Sequence, residues 1–140
     1  VKLLPGMGAE AEREQLEREL KQLMMASVGC QGVTQLFGTC RKVVAGLGER
    51  LCLVMALYPG SLDRLLAAHP GGLDEGRVHR YLAQLLRVLI ELHARGIIHM
   101  DLKPPNLLLS AQDELVVGDF GIARTVTATL GAVQPTSIVG

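Results

Sequence analysis

The chain reads His99-Met100-Asp101-Leu102-Lys103-Pro104-Pro105-Asn106, and further along Asp119-Phe120-Gly121. The first stretch follows Gly96, a helix-ending residue, and two β-branched residues, so we predict a loop held against the core. Apolar runs at 107–109 and 115–117, separated by a polar turn at 110–114, predict a hairpin that ends just before Asp119. The two polar motifs therefore flank one small hairpin.

These motifs supply the groups that phosphoryl transfer from a nucleotide requires. One carboxylate orients the attacking hydroxyl, an amide and a second carboxylate hold a metal ion, and a lysine neutralises phosphate charge. The order and spacing of the residues are similar to the pattern H-R-D-L-x-x-x-N followed by D-F-G. The chain therefore resembles a protein kinase catalytic domain, of the serine/threonine type.

The resemblance implies a role for each polar residue of the two motifs. Asp101 accepts the hydroxyl proton and aims the nucleophile. Lys103 reaches the transferring phosphoryl group as charge builds on its oxygens, and Lys103-Pro104 is typical of serine/threonine specificity. Asn106 and Asp119 supply the hard oxygen ligands that Mg²⁺ prefers.

The resemblance also implies ATP-binding side chains near the start of the chain. Val1-Lys2 is similar to the end of the V-A-I-K strand, whose lysine holds the α- and β-phosphates. The partner of Lys2 should be an inward glutamate on the following helix. Glu19 falls beside Leu23 on the apolar face of a helical projection, and a carboxylate on a buried face needs a cation. We therefore expect a Lys2–Glu19 ion pair.

Residues 51–62 resemble the strand and hinge that bind adenine. Met55 would be the gatekeeper at the back of the pocket, and Ala56 and Tyr58 would offer backbone hydrogen bonds to the adenine edge. Leu108 would form the floor of the pocket. The expected cofactors are thus ATP and Mg²⁺, and the expected partners are ATP and a protein substrate.

Two further expectations concern the surroundings of the site. Four residues match the stacked apolar spine of the family, namely Leu23, Leu36, His99 and Phe120. Within that spine His99 is expected to be a packed core histidine rather than a base. Gly118 and Gly121 are expected to let the backbone turn closely around the metal.

The fold class implied is α+β, a protein-kinase-like two-lobed fold that is partial. The resemblance runs from the third strand to the activation loop, so the small lobe would lack its first two strands and the large lobe its later helices. Residues 1–57 would form the small-lobe part and the start of the hinge. Residues 58–140 would form the large-lobe part with the catalytic and activation loops.

Local patterns predict the elements between the motifs. They predict a helix over 9–25, strands over 33–37 and 51–57 around a turn at 46–48, a short helix over 62–68 capped by Ser61, a long helix from Asp74 to Ala94, and a loop over 125–140. The apolar residues of the long helix predict an inward face made of Val78, Leu82, Leu85, Leu86, Leu89, Ile90 and His93.

Composition excludes several other classes of protein. Hydrophobic residues make up 49% of the 140, which argues against disorder. The formal net charge of +0 and only two Phe and two Tyr argue against a nucleic-acid surface. No apolar run has the length of a membrane span. Three cysteines without close spacing favour a reducing compartment, so a cytoplasmic location is expected.

Three functions stay open at this point. The leading one is an ATP-dependent protein serine/threonine kinase that is part of a longer chain. The alternative is a truncated or pseudokinase-like module that binds partners without catalysis. A small-molecule kinase is disfavoured by 101–104 and by 136–140, which resembles the entry to a protein-substrate loop.

Met100 leads to a first prediction about regulation. Many protein kinases have an arginine at this position that pairs with a phosphate on the activation loop. Ser137, with Thr136 beside it, occupies the usual phosphosite position. Because methionine cannot pair with phosphate, we expect Ser137→Ala to leave most phosphotransfer activity intact in a longer chain that carries a complete domain. A turnover assay checks this, and a large loss of turnover would contradict it.

Overall fold

The computed structural model describes residues 9–46, 48–121 and 123–125. The expectations placed on Lys2, Thr136 and Ser137 therefore lie outside the described residues. The helices are α1 (Ala9–Ser27), α2 (Leu62–Ala68) and α3 (Glu75–Ala94), with a 3₁₀ turn at Pro104–Asn106. The strands are β1 (Leu36–Val44), β2 (Gly48–Met55), β3 (Gly60–Ser61), β4 (Ile97–Ile98), β5 (Leu107–Leu109), β6 (Leu115–Val117) and β7 (Arg124–Thr125).

The strands form three small antiparallel sheets among helices. β1 pairs with β2, β5 lies between β3 and β6, and β4 pairs with β7. This segregated mixture of helices and small sheets confirms the predicted α+β class. The β5–β6 hairpin lies where the sequence predicts it, with Leu107 opposite Val117.

The first hairpin is longer than the apolar runs predict. β1 begins at Leu36 and continues to Val44, so the expected strand over 33–37 is wrong in both bounds. The extension includes Arg41 and Lys42, whose exposed side chains interrupt the apolar pattern. β2 ends at Met55 rather than residue 57, and Leu57 beyond it is 96% exposed. Strand pairing, rather than hydrophobicity, sets these bounds.

The long helix begins as predicted but buries a different face. Asp74 caps α3, and its carboxylate accepts a hydrogen bond from the Arg77 backbone nitrogen at 2.9 Å. The buried residues are Tyr81, Val88 and Leu92. The predicted inward face is wrong at several positions, since Val78, Leu82, Leu86, Ile90 and His93 are exposed and only Leu85 and Leu89 pack against the core.

Specific neighbours explain this choice of face. The Tyr81 hydroxyl hydrogen-bonds to Asp113 in the β5–β6 turn, and Val88 lies under the backbone of Gly32. Both contacts come from parts of the chain distant in sequence. The pattern of apolar residues along one helix therefore cannot predict these contacts.

Two smaller expectations also need correction. Ser61 occupies the N-cap position of α2, but its hydroxyl donates a hydrogen bond to the Asp63 carboxylate and makes no capping bond to the backbone. Thr125 belongs to β7, which pairs with β4, so the predicted loop does not begin at that residue. Residues 126–140 of that loop are not among those described.

The segment after α1 joins the first hairpin to the rest of the structure. Val117 donates its backbone N–H to the Gly32 oxygen at 2.7 Å and accepts one from Thr34 at 2.9 Å. Residues 32–34 therefore run beside β6, with a parallel bridge between Val33 and Val117. Gly32 also lies close to α3, because a Cβ on Gly32 would lie 2.6 Å from Cγ2 of Val88.

Arg95 supplies a second connection, at the C-terminal end of α1. Its guanidinium donates to the backbone oxygens of Ala26 at 3.1 Å and Val28 at 2.5 Å. The last turn of α1 carries no basic side chain of its own. A cation at this end satisfies free carbonyls and opposes the helix dipole. The residue after α3 thus fixes the end of α1.

Gly32 offers a test of this packing. We expect Gly32→Ala to lower the free energy of unfolding by about 2–4 kcal/mol, because the methyl group would overlap Val88 and the backbone has a φ of 86°. Urea denaturation measures the change. Gly46→Ala is the matched control, since its φ is 77° but nothing lies within 4 Å of the added methyl. Equal losses in the two variants would contradict the packing argument.

Candidate active site

His99 is the buried centre around which the site is arranged. It is 1% exposed, and its Nε2 lies 2.7 Å from the Gly118 carbonyl oxygen. Its Nδ1 accepts a hydrogen bond from the Asp101 backbone nitrogen at 3.3 Å. A carbonyl can only accept, so Nε2 carries the proton and the imidazole is held in one tautomer. This agrees with the expectation of a packed histidine, and the ring also meets Phe120 edge-on at 4.9 Å between centroids.

Asp101 lies at the centre of a polar cluster on the loop after β4. Its Oδ2 accepts a hydrogen bond from Asn106 Nδ2 at 2.9 Å and lies 2.7 Å from Lys103 Nζ. Asn106 Nδ2 also donates to the Asp101 backbone oxygen at 2.8 Å. The 3₁₀ turn brings these residues together, because the Asn106 backbone nitrogen bonds to the Lys103 oxygen at 2.9 Å. The structure therefore joins three of the predicted residues directly.

The electrostatics of this cluster favour an ionised Asp101. The Lys103 ammonium, and after it the Asn106 amide, hold the pKa of the Asp101 carboxyl below its ordinary value. The side chain is 31% exposed, so it can be reached from solvent. Among the described residues both side-chain contacts of this carboxylate fall on Oδ2.

Asn106 and Asp119 lie at the same end of the β5–β6 hairpin. Asn106 immediately precedes Leu107, which pairs with Val117 across the hairpin. Gly118, which follows Val117, donates its backbone N–H to the Asn106 backbone oxygen at 2.9 Å. The Asp119 side chain is exposed just beyond this bond. Because Asn106 also contacts Asp101, the hairpin end brings the two motifs of the sequence to one region.

Gly118 and Gly121 flank Asp119, and the close turn of the backbone around a metal that was expected of them stays a prediction. The left-handed backbone conformation is at Asp119 itself, with a φ of 57°. Gly118 is needed for packing instead, because a Cβ there would lie 2.9 Å from Cδ1 of Leu108. The Gly121 backbone nitrogen donates to Asp119 Oδ1 at 3.3 Å, which stabilises the turn. The packing of Gly118 and the hydrogen bond from Gly121 thus shape the loop around Asp119.

The predicted adenine-binding residues follow β2. Met55, its last residue, is partly buried and packs against the core. The Ala56 backbone nitrogen donates to the Gln35 oxygen at 2.9 Å, so this N–H is already engaged within the chain. The Tyr58 hydroxyl accepts a bond from the Gln35 nitrogen at 3.4 Å. Leu108 is partly buried on β5, directly below Gly118.

Glu19 is one of the most deeply buried polar residues described. It is 1% exposed on the same face of α1 as Leu23, which is also 1% exposed. Glu14 and Glu17 on the same helix are exposed. The helical projection therefore places Glu19 correctly, while its pairing with Lys2 concerns a residue that the structure does not describe.

The sequence reasoning missed an ion cluster at the far end of the hairpin. Asp113 accepts hydrogen bonds from Arg77 Nη2 at 2.5 Å and Nε at 3.1 Å, and from the Tyr81 hydroxyl at 2.5 Å. Arg80 also donates to this carboxylate. Both guanidinium groups lie over the Tyr81 ring, at 5.6 and 5.5 Å from its centroid. The sequence signal for this cluster would have been an aspartate in the hairpin turn together with two arginines about one helical turn apart on α3.

The protein kinase domain family matches residues 1–140, and the chain belongs to this family. The partial α+β fold expected from the motifs is therefore that of a protein kinase domain, as predicted.

Several curated proteins are similar to the chain. Cyclin-dependent kinase 14 of Homo sapiens is 47% identical over 76 residues, which is 54% of this chain and 16% of that protein. Cyclin-dependent kinase 15 of Danio rerio is 43% identical over 77 residues, 55% of this chain and 18% of that protein. The E3 ubiquitin-protein ligase KEG of Arabidopsis thaliana is 36% identical over 110 residues, 79% of this chain and 6% of that protein. The chain thus spans less than a fifth of the length of each.

Asp113 provides a pH-dependent test of how the hairpin is anchored. Arg77, followed by Tyr81, lowers the pKa of Asp113. A carboxyl whose pKa is lower in the folded state than in the unfolded state stabilises the fold. The stabilisation is fully present at pH values above the unfolded-state pKa and is lost as the pH falls through the folded-state pKa. We expect Asp113→Asn to cost about 1 kcal/mol at neutral pH, allowing for partial exposure, and almost nothing well below pH ~4.

Chemical denaturation at the two pH values measures the difference between variant and parent. Glu114→Gln is the matched control, since it makes the same carboxyl-to-amide change at an exposed residue of the same turn. A cost for Asp113→Asn that does not shrink in acid would show that the charge is not what anchors the turn.

Proposed function

We propose that this chain carries the catalytic part of a protein serine/threonine kinase, which transfers the γ-phosphoryl group of ATP to a protein hydroxyl. The observation that supports it most strongly is the cluster of Asp101, Lys103 and Asn106, joined through His99 to the backbone just before Asp119. The cluster joins a carboxylate, a cation and a carboxamide, which are three of the groups that this reaction uses.

Asp101 would act on the acceptor side of the reaction. Its ionised carboxylate would accept the hydrogen of a serine or threonine hydroxyl and point the oxygen at the phosphoryl group. Lys103 already contacts Asp101 and is half exposed, so a small rotation would carry its ammonium to the phosphoryl oxygens. Proton acceptance and charge neutralisation would therefore come from residues two positions apart.

The oxygen donors fit a magnesium ion. Asn106 donates from its amide nitrogen to Asp101 twice, so its carboxamide oxygen is the atom left to face a cation. Asp119 would add one charged oxygen. Two protein ligands suit Mg²⁺, which keeps several waters and otherwise binds substrate phosphates. When bound, the ion would neutralise charge on the phosphates of ATP.

The nucleotide would lie between the hinge and the hairpin. The Ala56 carbonyl and the Tyr58 backbone would meet the adenine edge, with Met55 behind the base and Leu108 beneath it. Lys2, paired with Glu19, would hold the α- and β-phosphates. The burial of Glu19 supports this pairing, because a buried carboxylate needs a cation beside it. The boundary between a small-lobe part and a large-lobe part at residues 57 and 58 belongs to the same proposal.

The proposed partners and location rest on short sequence motifs and on composition. Lys103-Pro104 and the segment 136–140 support a protein acceptor, and the net charge of +0 supports no nucleic-acid partner. In the described part of the chain no helix has the length and hydrophobicity to span a membrane. The cytoplasm is proposed from the spacing of the cysteines alone.

A second candidate is an interaction module that binds partners without transferring phosphate. The exposed face of α3 supports it, because Leu82, Leu86 and Ile90 are 50%, 58% and 69% exposed. Exposed apolar residues in one stripe are typical of a contact surface. The polar residues of the predicted site are all present, which favours the enzyme.

Two substitutions test the proposal and separate these candidates. We expect Asp119→Asn to weaken magnesium-dependent ATP binding by about tenfold or more, since a charged ligand of the ion is lost. We expect Asp101→Asn to leave ATP affinity nearly unchanged and to lower turnover by about a hundredfold or more, because the proton acceptor is lost. Calorimetric titration of ATP with and without Mg²⁺, and phosphate transfer to a mixed peptide library, measure the two effects.

The measurements are made on this chain and on an in-frame extended form. Glu114→Gln serves as control, since it neutralises an exposed carboxylate at the opposite end of the same hairpin. ATP binding that ignores Mg²⁺ and Asp119 would refute the proposed site. Binding with the expected magnesium dependence but no transfer in either form would favour the interaction module.

A further inference from the structure

Two of the three cysteines face each other across the first hairpin. In the antiparallel register of β1 and β2, Cys40 is the direct partner of Cys52. Side chains of directly opposed residues lie on the same face of a sheet. The third cysteine, Cys30, lies in the turn after α1, outside this hairpin. The pairing of the strands therefore selects one pair of thiols from three possible pairs.

The geometry of such a pair suits a covalent bond. Directly opposed residues in antiparallel strands have Cα atoms about 4.5–5.5 Å apart, within the range of about 4.4–6.8 Å that disulfides span. The thiols already interact: the pKa of Cys52 is raised first by burial and then by the neighbouring Cys40 thiol. Little movement of the backbone is needed to join them.

The two cysteines differ in their access to solvent. Cys40 is exposed, and its strand, β1, pairs with β2 alone among the described strands. Cys52 is 0% exposed. An external oxidant can therefore reach Cys40, whereas Cys52 is buried opposite it. This is the arrangement of an attacking thiol with a resolving thiol behind it.

We propose that Cys40 and Cys52 form a reversible disulfide site that exchanges with small-molecule disulfides of the glutathione class. The Cys40 thiolate attacks one sulfur of glutathione disulfide, which forms a mixed disulfide and releases one glutathione thiolate that takes up a proton. Cys52 then attacks the Cys40 sulfur, and its proton passes to the departing glutathione sulfur, which releases the second glutathione. Two protein thiols are oxidised, and one glutathione disulfide is reduced to two glutathione molecules.

The site does not depend on the proposed phosphotransfer. Its bond would fasten β1 to β2 three residues before Met55, the end of the strand that leads into the predicted hinge. Arg41 and Lys42 lie between the two cysteines along the chain. Because trypsin cleaves after basic residues, the two cysteines fall in different peptides, and their linkage can be read directly.

The native chain is equilibrated in mixtures of oxidised and reduced glutathione, quenched in acid, unfolded and alkylated. We expect two of the three thiols to escape alkylation without gain of mass from glutathione, and the tryptic digest to contain one linked peptide pair. Cys30 and Cys40 share a tryptic peptide, so Cys30→Ser must retain the linkage. Cys40→Ser must lose it, and Cys52→Ser must stop at the glutathione adduct of Cys40.

Other results would overturn the proposal. These are a wild-type chain that stops at the Cys40 adduct, a covalent dimer through Cys40, or a linked pair that disappears in Cys30→Ser. Because Cys52 is buried, Cys52→Ala is examined beside Cys52→Ser so that a folded variant is available. The wild-type chain oxidised in urea gives the reference, since unfolding removes the strand register and should lower the share of the Cys40–Cys52 pair.

Discussion

The arrangement of the site depends on one buried imidazole. His99 donates to the Gly118 carbonyl at 2.7 Å and accepts from the Asp101 backbone at 3.3 Å. A neutral ring with both nitrogens engaged fixes the separation of two loops that are distant in sequence. Loss of either bond would leave a polar atom buried without a partner. The ring thus holds together the backbone at Asp101 and the backbone just before Asp119.

The helix α3 gives the loops around His99 a rigid frame. At its start, Arg77 and its neighbours hold Asp113 in the turn of the β5–β6 hairpin. In its middle, Gln84 accepts a bond from the Leu115 backbone at 2.9 Å. At its end, Arg95 holds the last carbonyls of α1, and the chain then runs directly into β4 and the Asp101 loop. One helix thus orients both ends of the candidate site.

Local chemistry in the sequence was enough for the elements that carry strong start and stop signals. Asp74 marked the start of α3, and the run 107–117 marked the hairpin, because capping and turn preferences act over a few residues. The face of α3 that is buried could not be read in this way. Contacts from Gly32 and Asp113 decide it, and these form only once the chain has folded. The extension of β1 through Arg41 and Lys42 is likewise set by its partner strand.

In the candidate site, too, some features follow from the local sequence and others from packing. The sequence spacing was enough to predict that Asp101, Lys103 and Asn106 lie close together, because a short 3₁₀ turn leaves them few other arrangements. Spacing could not show that the left-handed residue is Asp119, because a non-glycine residue adopts positive φ only where its surroundings impose it. Here Gly118 packs against Leu108 and bonds to Asn106, and this fixes the backbone before Asp119. The turn of the chain at the predicted metal site is therefore a consequence of packing in the hairpin, in which Gly118 takes part.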